Sequence, residues 1–187
     1  MISVQIDSTT GNEIVSTTDI KSYARIETSS DDTIIGIMRT AARTSCEDYM
    51  NRDIVAKTRT YFRSDIPNGS GHYDGLYDER YKILLPFAPI ASVTSVKTEK
   101  SDGTFADLSY EKYGADDKYI VLKGYEASNV KIEYVTTGME DNSLKLAIMQ
   151  LASTFYDNRT EFVSTSVNKI PTSIKKILDP YKYISDL

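Results

Sequence analysis

Ser29-Ser30-Asp31-Asp32-Thr33-Ile34-Ile35-Gly36-Ile37-Met38-Arg39-Thr40-Ala41-Ala42-Arg43-Thr44-Ser45-Cys46-Glu47-Asp48-Tyr49-Met50 is the stretch on which the fold turns. Ile34, Met38, Ala41, Ser45 and Tyr49 recur at helical spacing, with Ile37, Ala42, Cys46 and Met50 beside them. This periodicity predicts one long helix whose wide apolar stripe packs on two neighbours. Ser29 or Ser30 is the expected N-cap, and Asp31 and Asp32 fall at the positive end of the helix dipole. Arg39 and Arg43 lie one turn apart on a flank. Glu47 follows Arg43 at i+4, the spacing of a helix-surface ion pair. Asn51-Arg52-Asp53 ends the run.

A second strong helix is expected near the other end. Leu144, Ile148, Leu151 and Phe155 form an i, i+4, i+7, i+11 stripe, capped by Asn142 or Ser143 and ending at Asn158-Arg159. A short helix to about Arg25 precedes the long one, capped by Thr17 or Thr18, with Ile20, Tyr23 and Ala24 apolar. Residues 1–16 read as a polar arm or an edge pairing, with Gly11-Asn12 as a turn.

Between the helices the period changes to two. Strands are expected over 54–66, 83–86, 92–98, 105–108, 119–122 and 130–136. The last places Val130, Ile132, Tyr134 and Thr136 on one face. Ser101-Asp102-Gly103-Thr104 reads as a hairpin turn, and Pro67 to Gly75 as a long loop. After a polar link at 160–169, Ile170 to Ile184 forms a short apolar and tyrosine-bearing tail, too short to fold alone.

The reading is an α+β chain. A small helical bundle over 17–53 and 137–159 carries an inserted antiparallel β module over 54–136 and a C-terminal linker and arm over 160–187.

Composition narrows the function. The chain has 187 residues, 40% hydrophobic and 26% charged, as an ordinary globular protein does. No apolar run approaches the roughly 18 residues of a membrane span, so no membrane partner is expected. Met1 to Asp7 lacks the basic and apolar regions of a signal peptide. The net charge of −5 argues against binding nucleic acid through its backbone. A single cysteine, Cys46, excludes a disulfide framework and a multi-cysteine metal site. The single histidine, His72, stands in the loop beside Asp74. Gly69-Ser70-Gly71 lacks the lysine and helix of a phosphate loop. Asp116-Asp117 and Glu140-Asp141 are adjacent pairs, suited to turns and helix starts and not to spaced acid/base work or a calcium loop. No catalytic, cofactor or metal residue is expected, and the chain is read as no enzyme. Fourteen tyrosines and the short tail favour an assembly protein.

At this point the order of motifs resembles the head–tail connector, or adaptor, family of tailed phages, in its larger members with a β-rich insertion. Asp19-Ile20-Lys21-Ser22-Tyr23-Ala24-Arg25-Ile26 is similar to that family's first helix. Asp31-Asp32-Thr33-Ile34-Ile35, Ala41-Ala42-Arg43 and Glu47-Asp48-Tyr49-Met50-Asn51-Arg52 are similar to its second. Leu84-Leu85-Pro86-Phe87-Ala88-Pro89-Ile90-Ala91-Ser92-Val93-Thr94-Ser95-Val96 resembles its proline-punctuated strand. Leu146-Ala147-Ile148 through Tyr156-Asp157-Asn158-Arg159 resembles its closing helix.

The resemblance implies a structural virion protein of the neck, assembled in the host cytoplasm. It implies a ring of about twelve copies in head-to-tail contact, each copy monomeric in isolation where its arm orders only on the portal. The implied partners are the portal protein, a stopper or tail protein, and double-stranded DNA passing through the lumen without specific binding. Arg39, Arg43 and Glu47 are the expected ring interface. Ile170, Ile174, Ile177, Leu178, Tyr181 and Tyr183 are the expected portal-docking residues. Another neck or tail-completion protein and a cellular protein-binding module are the alternatives.

Overall fold

The computed structural model describes residues 1–64, 82–114, 118–122, 129–158 and 170–183. The expected Pro67–Gly75 loop with His72 and Asp74, the Asp116-Asp117 pair, Arg159, the 160–169 link and Ile184 lie outside the described residues. The chain is α+β. It divides into a helical unit, Asn12–Val55 with Met139–Ile184, and a β unit built on Met1–Gly11 and Ala56–Gly138.

The helical unit contains α1 (Thr17–Ala24), α2 (Asp32–Met50), α3 (Asn142–Asp157) and α4 (Thr172–Leu178), followed by a 3₁₀ turn, Asp179–Tyr181. The first cap is Ser16, one residue before the expected threonines. Its hydroxyl accepts from the Asp19 amide at 3.0 Å, and the Asp19 carboxylate accepts from the Ser16 amide at 2.8 Å. This reciprocal capping box satisfies two of the donors that a helix start leaves over. It also holds the Asp19 carboxyl below its ordinary range, through the Ser16 hydroxyl and then the Ser16 amide. Arg25 ends α1 in the left-handed region.

The cap of α2 is Asp31, not Ser29 or Ser30. It makes no side-chain cap bond, and its carboxylate accepts instead from the Tyr156 hydroxyl at 2.6 Å. Asp141 caps α3 by accepting from the Ser143 amide at 2.7 Å, which displaces the expected Asn142 or Ser143.

The buried stripe of α2 is also rotated from the expected one. Ile35, Met38, Ala42, Cys46 and Met50 point inward, while Ile34 and Ile37 are exposed. Of these, Ile35, Ala42, Cys46 and Met50 pack with Val15, Ile20, Ile54, Leu144, Ala147, Ile148, Leu151, Ala152, Ile174 and Leu178 in one core. Seven residues of α4 cannot hold a helix in isolation. Burial of Ile174 and Leu178 in that core supplies the missing stability, about 1.5–3 kcal/mol for each fully buried side chain.

The β unit holds two antiparallel sheets. One has the order β1-β2-β8-β4-β5, where β1 is Ile2–Thr9, β2 Lys57–Arg63, β4 Ile90–Glu99, β5 Phe105–Asp107 and β8 Val130–Thr136. The other has the order β3-β7-β6, from Lys82–Leu84, Tyr119–Leu122 and Tyr110–Tyr113. The strand β8 is central, and Val130, Ile132, Tyr134 and Thr136 are all buried on one face, as their alternation predicts. Tyr134 donates to the Pro86 carbonyl at 3.0 Å, and Thr136 Oγ1 accepts from the Lys57 amide at 3.1 Å.

Of the two readings of residues 1–16, the edge pairing holds for 2–9, which form a full edge strand. One strand differs from expectation, 110–113, which has no apolar alternation. On β2, the inward face is Lys57, Arg59 and Tyr61. The Arg59 guanidinium lies 3.6 Å above the Phe87 ring, so the buried charge meets an aromatic face.

Candidate assembly surfaces

The expected ring-interface residues on α2 have different surroundings. Arg39 is half-buried, and its Nε has no hydrogen-bond partner among the described residues. Arg43 and Glu47 are buried, at 6% and 1% exposure. Arg43 Nη1 donates to Glu47 at 2.5 Å, and its Nε donates to Glu13 at 3.0 Å. The other Glu47 oxygen accepts from the amides of Ile54 and Val55 at 2.8 and 3.2 Å. A buried carboxylate is costly unless its lone pairs are met, and here a guanidinium and two amides meet them. Glu47 therefore ties the end of α2 to the chain that follows it. The charge of Glu47 and burial push the neighbouring Cys46 thiol up to about 12, burial being the larger cause, which makes the sulfur an inert core atom.

The outward face of α2 is different in kind. Thr33, Gly36, Ile37, Thr40, Ala41 and Thr44 line a shallow, uncharged groove, with Ile37 60% exposed at its side.

The expected portal-docking residues also separate. Ile174, Leu178 and Tyr183 are buried within the helical unit. Ile170, Ile177 and Tyr181 pack partly buried against its core. Tyrosines hold this arm down. Tyr49 donates to Asp179 at 2.6 Å and Tyr181 donates to Asp141 at 2.7 Å. The Tyr183 amide donates to the Met50 carbonyl at 2.7 Å, and Arg52 lies 5.6 Å from the Tyr183 ring centre. The Tyr181 hydroxyl, then the Ser143 amide, keep the Asp141 carboxyl below its ordinary value, while that carboxylate raises the Tyr181 phenol. Thr172, Ser173, Lys176, Asp179, Pro180 and Lys182 form the exposed side of the docked arm. Sequence periodicity found the arm, but its tyrosine tethers bridge more than a hundred residues in one case and leave no local signal.

Among the described residues, no group of three or more His, Cys, Asp or Glu side chains is placed to hold a metal ion. No described helix is long and apolar enough to cross a membrane.

The described residues thus form a helical unit with a docked arm and a β unit whose outer strand edges have no strand partner among them. The family model described as head completion protein matches residues 13–184, and the chain belongs to that family. No curated protein matches the sequence. The fold is shared with a chain in the neck of an empty gene transfer agent particle computed with C6 symmetry. That likeness has a TM-score of 0.71 at 14% identity and covers 99% of this chain and 97% of the other. A chain in the virion of the native gene transfer agent particle gives 0.70 at 13% identity, covering 98% and 97%. A chain in the neck of the native particle computed with C12 symmetry gives 0.61 at 15% identity, covering 96% and 97%.

Proposed function

We propose that this protein is a structural, non-enzymatic component of a virion neck, forming an adaptor ring between the portal and the tail or stopper protein. The observation that carries the reading is the head completion match across residues 13–184. The shared fold with neck chains of particles computed with C6 and C12 symmetry supports identical copies around an axis. The net charge of −5 suits a lumen through which DNA slides without being bound.

Arg43 and Glu47 are engaged inside the helical unit, so the neighbour contact on α2 falls to Arg39 and the Thr33–Thr44 groove. Ile174 and Leu178 are core residues, so portal contact falls to the exposed side of the docked arm, with Lys176 and Lys182 as its cations. Deleting 160–187 would remove part of the core and test folding instead of docking.

The test is electron microscopy of the full chain mixed with the portal assembly encoded beside it. A stacked ring on the portal is expected, weakened by the double reversal Lys176→Glu with Lys182→Glu. Folded monomers beside bare portals would overturn the reading.

A further inference from the structure

We propose that the neck ring is closed by sheet augmentation, β1 of one copy pairing antiparallel with the open edge of β4 in the next copy. The inference rests on the ring reading above and adds a second neighbour contact to the one on α2.

The first observation is the outer edge of β1. It pairs on one side with β2, Ile2 opposite Arg63, Val4 opposite Tyr61 and Ile6 opposite Arg59. The Ser64 amide donates to the Met1 carbonyl at 2.9 Å, so Met1 and Ser64 are a hydrogen-bonded pair of this ladder. In an antiparallel ladder such pairs alternate, so Ser3 and Gln5 face β2, and the amides and carbonyls of Ile2, Val4 and Ile6 face away from it. The order β1-β2-β8-β4-β5 puts no strand on that side among the described residues. Ile2 and Ile6 are 61% and 50% exposed. Of the devices that blunt natural edges, β1 has no lysine, no proline and no shortness, and its one bulge lies beyond Ile6. Its single charge, Asp7, accepts from the Thr60 hydroxyl at 2.7 Å. A register shift between Ile6 and Ser8 confines the regular stretch to Ile2–Ile6.

The second observation is a matching edge on the same sheet. The strand β5 covers β4 at Lys97–Glu99, and the Leu108 amide just beyond it donates to the Val96 carbonyl at 2.8 Å. The rest of that side, Ile90-Ala91-Ser92-Val93-Thr94-Ser95, has no strand partner among the described residues and carries no charge, and it is bent by register shifts against β8 between Ile90 and Ser92 and between Val93 and Ser95. Ala91, Ser92 and Thr94 are exposed. The Tyr110 hydroxyl, 3.5 Å from the Val93 carbonyl, would yield to an incoming strand.

Polarity selects the occupant. The successive antiparallel pairings β1–β2, β2–β8 and β8–β4 make β1 and β4 run in opposite directions. Copies around a ring differ by rotation alone, about 30° per step for about twelve copies, so strand directions are nearly preserved. The β1 strand of one copy therefore meets β4 of the next antiparallel, with stretches of similar length and no opposing charge. A β1–β1 contact would need a two-fold axis and would stop at a dimer.

The test uses full-length protein in rings assembled on the portal. Val4→Pro removes an outward amide without removing a β1–β2 bond. It should keep a wild-type circular dichroism spectrum and lower ring occupancy at least tenfold. Ile6→Lys, which places a charge on the edge, should do the same. Ile6→Cys combined with Ser92→Cys or Thr94→Cys should give a ladder of successive multimers under mild oxidation, the native Cys46 being fully buried. Normal rings from folded Val4→Pro and Ile6→Lys would overturn the proposal. So would cross-linked dimers that appear with Ile6→Cys alone, or the absence of any ladder from both cysteine pairs. Absence of rings from the wild-type chain would instead remove the neck reading, and this inference with it.

Discussion

The helical unit and the β unit treat their polar groups in opposite ways. In the helical unit, Ser16 and Asp19 cap each other, Glu47 is met by Arg43 and two amides, and Asp31, Asp141 and Asp179 each accept from a tyrosine. Even the short α4 is drawn into the core. In the β unit, the central strand β8 is equally closed, but the outer backbone of β1 and of Ile90–Ser95 has no strand partner among the described residues. Closed hydrogen bonding makes a unit self-sufficient. An open edge makes its completion depend on another chain. The contrast is between backbone left open along strand edges in the β unit and a helical unit whose surfaces for association are side chains alone, on α2 and on the exposed side of the arm.

The strongest way to break this contrast is to open the closed side. Glu47→Ala breaks a buried ion pair, leaves Arg43 with Glu13 alone and takes the acceptor from two buried amides, so a loss of about 3–5 kcal/mol is expected. A urea midpoint that moves by less than a third of that would show the network to be dispensable. Leu178→Ala should cost about 2–5 kcal/mol, because the side chain is fully buried and the helix that bears it cannot stand alone. The same denaturation curve reads it. If α4 were only a flexible docking arm, the midpoint would not move.

A third substitution probes the closed part of the β unit. Thr136→Val keeps the shape and leaves the Lys57 amide without the Thr136 hydroxyl, at about 1–3 kcal/mol. Thermal unfolding measures this, and an unchanged midpoint would place the closed centre of the sheet elsewhere.

The smallest effect sharpens the comparison through pH. The Asp141 carboxyl titrates below its ordinary 3.8, so its contribution is complete above that value and is lost as pH falls through the depressed one. The Tyr181 phenol titrates above its ordinary 10.0, so its contribution is complete below that value and is lost as pH rises through the raised one. The arm tether is thus held between the two limits. Amide NMR shifts of α4 should change at both ends of the pH range in the wild type. Tyr181→Phe should abolish both changes, and shifts that persist in it would assign the titrations to other groups.

The helices were legible because their 3.6-residue period extends over several turns in α2 and α3. The face of α2 was not, because Arg43 and Glu47 occupy inward positions that a count of apolar residues assigns to solvent. Their partners Glu13, Ile54 and Val55 come from other segments, which no spacing within the helix reveals. The box Ser16-Thr17-Thr18-Asp19 was readable in principle, since serine followed three residues later by an acid is its signature. Strand β8 was plain because it is buried on one face. Strand β1 was obscure because an edge strand has only three apolar residues, and Tyr110–Tyr113 was obscure because no alternation marks it. Of the assembly surfaces, the tail's apolar positions were visible, whereas their docking onto the chain's own core was a tertiary fact.

Each unit is assembled from two separated pieces of chain, Asn12–Val55 with Met139–Ile184 and Met1–Gly11 with Ala56–Gly138. The interleaving makes each unit wait for chain made later. Strand β1 has no ladder partner until β2 has followed it, with α1 and α2 made in between. The helical core is closed by α3 and α4, which come only after the intervening strands have been synthesised. A nascent chain that stops between α2 and α3 therefore has no closed helical core.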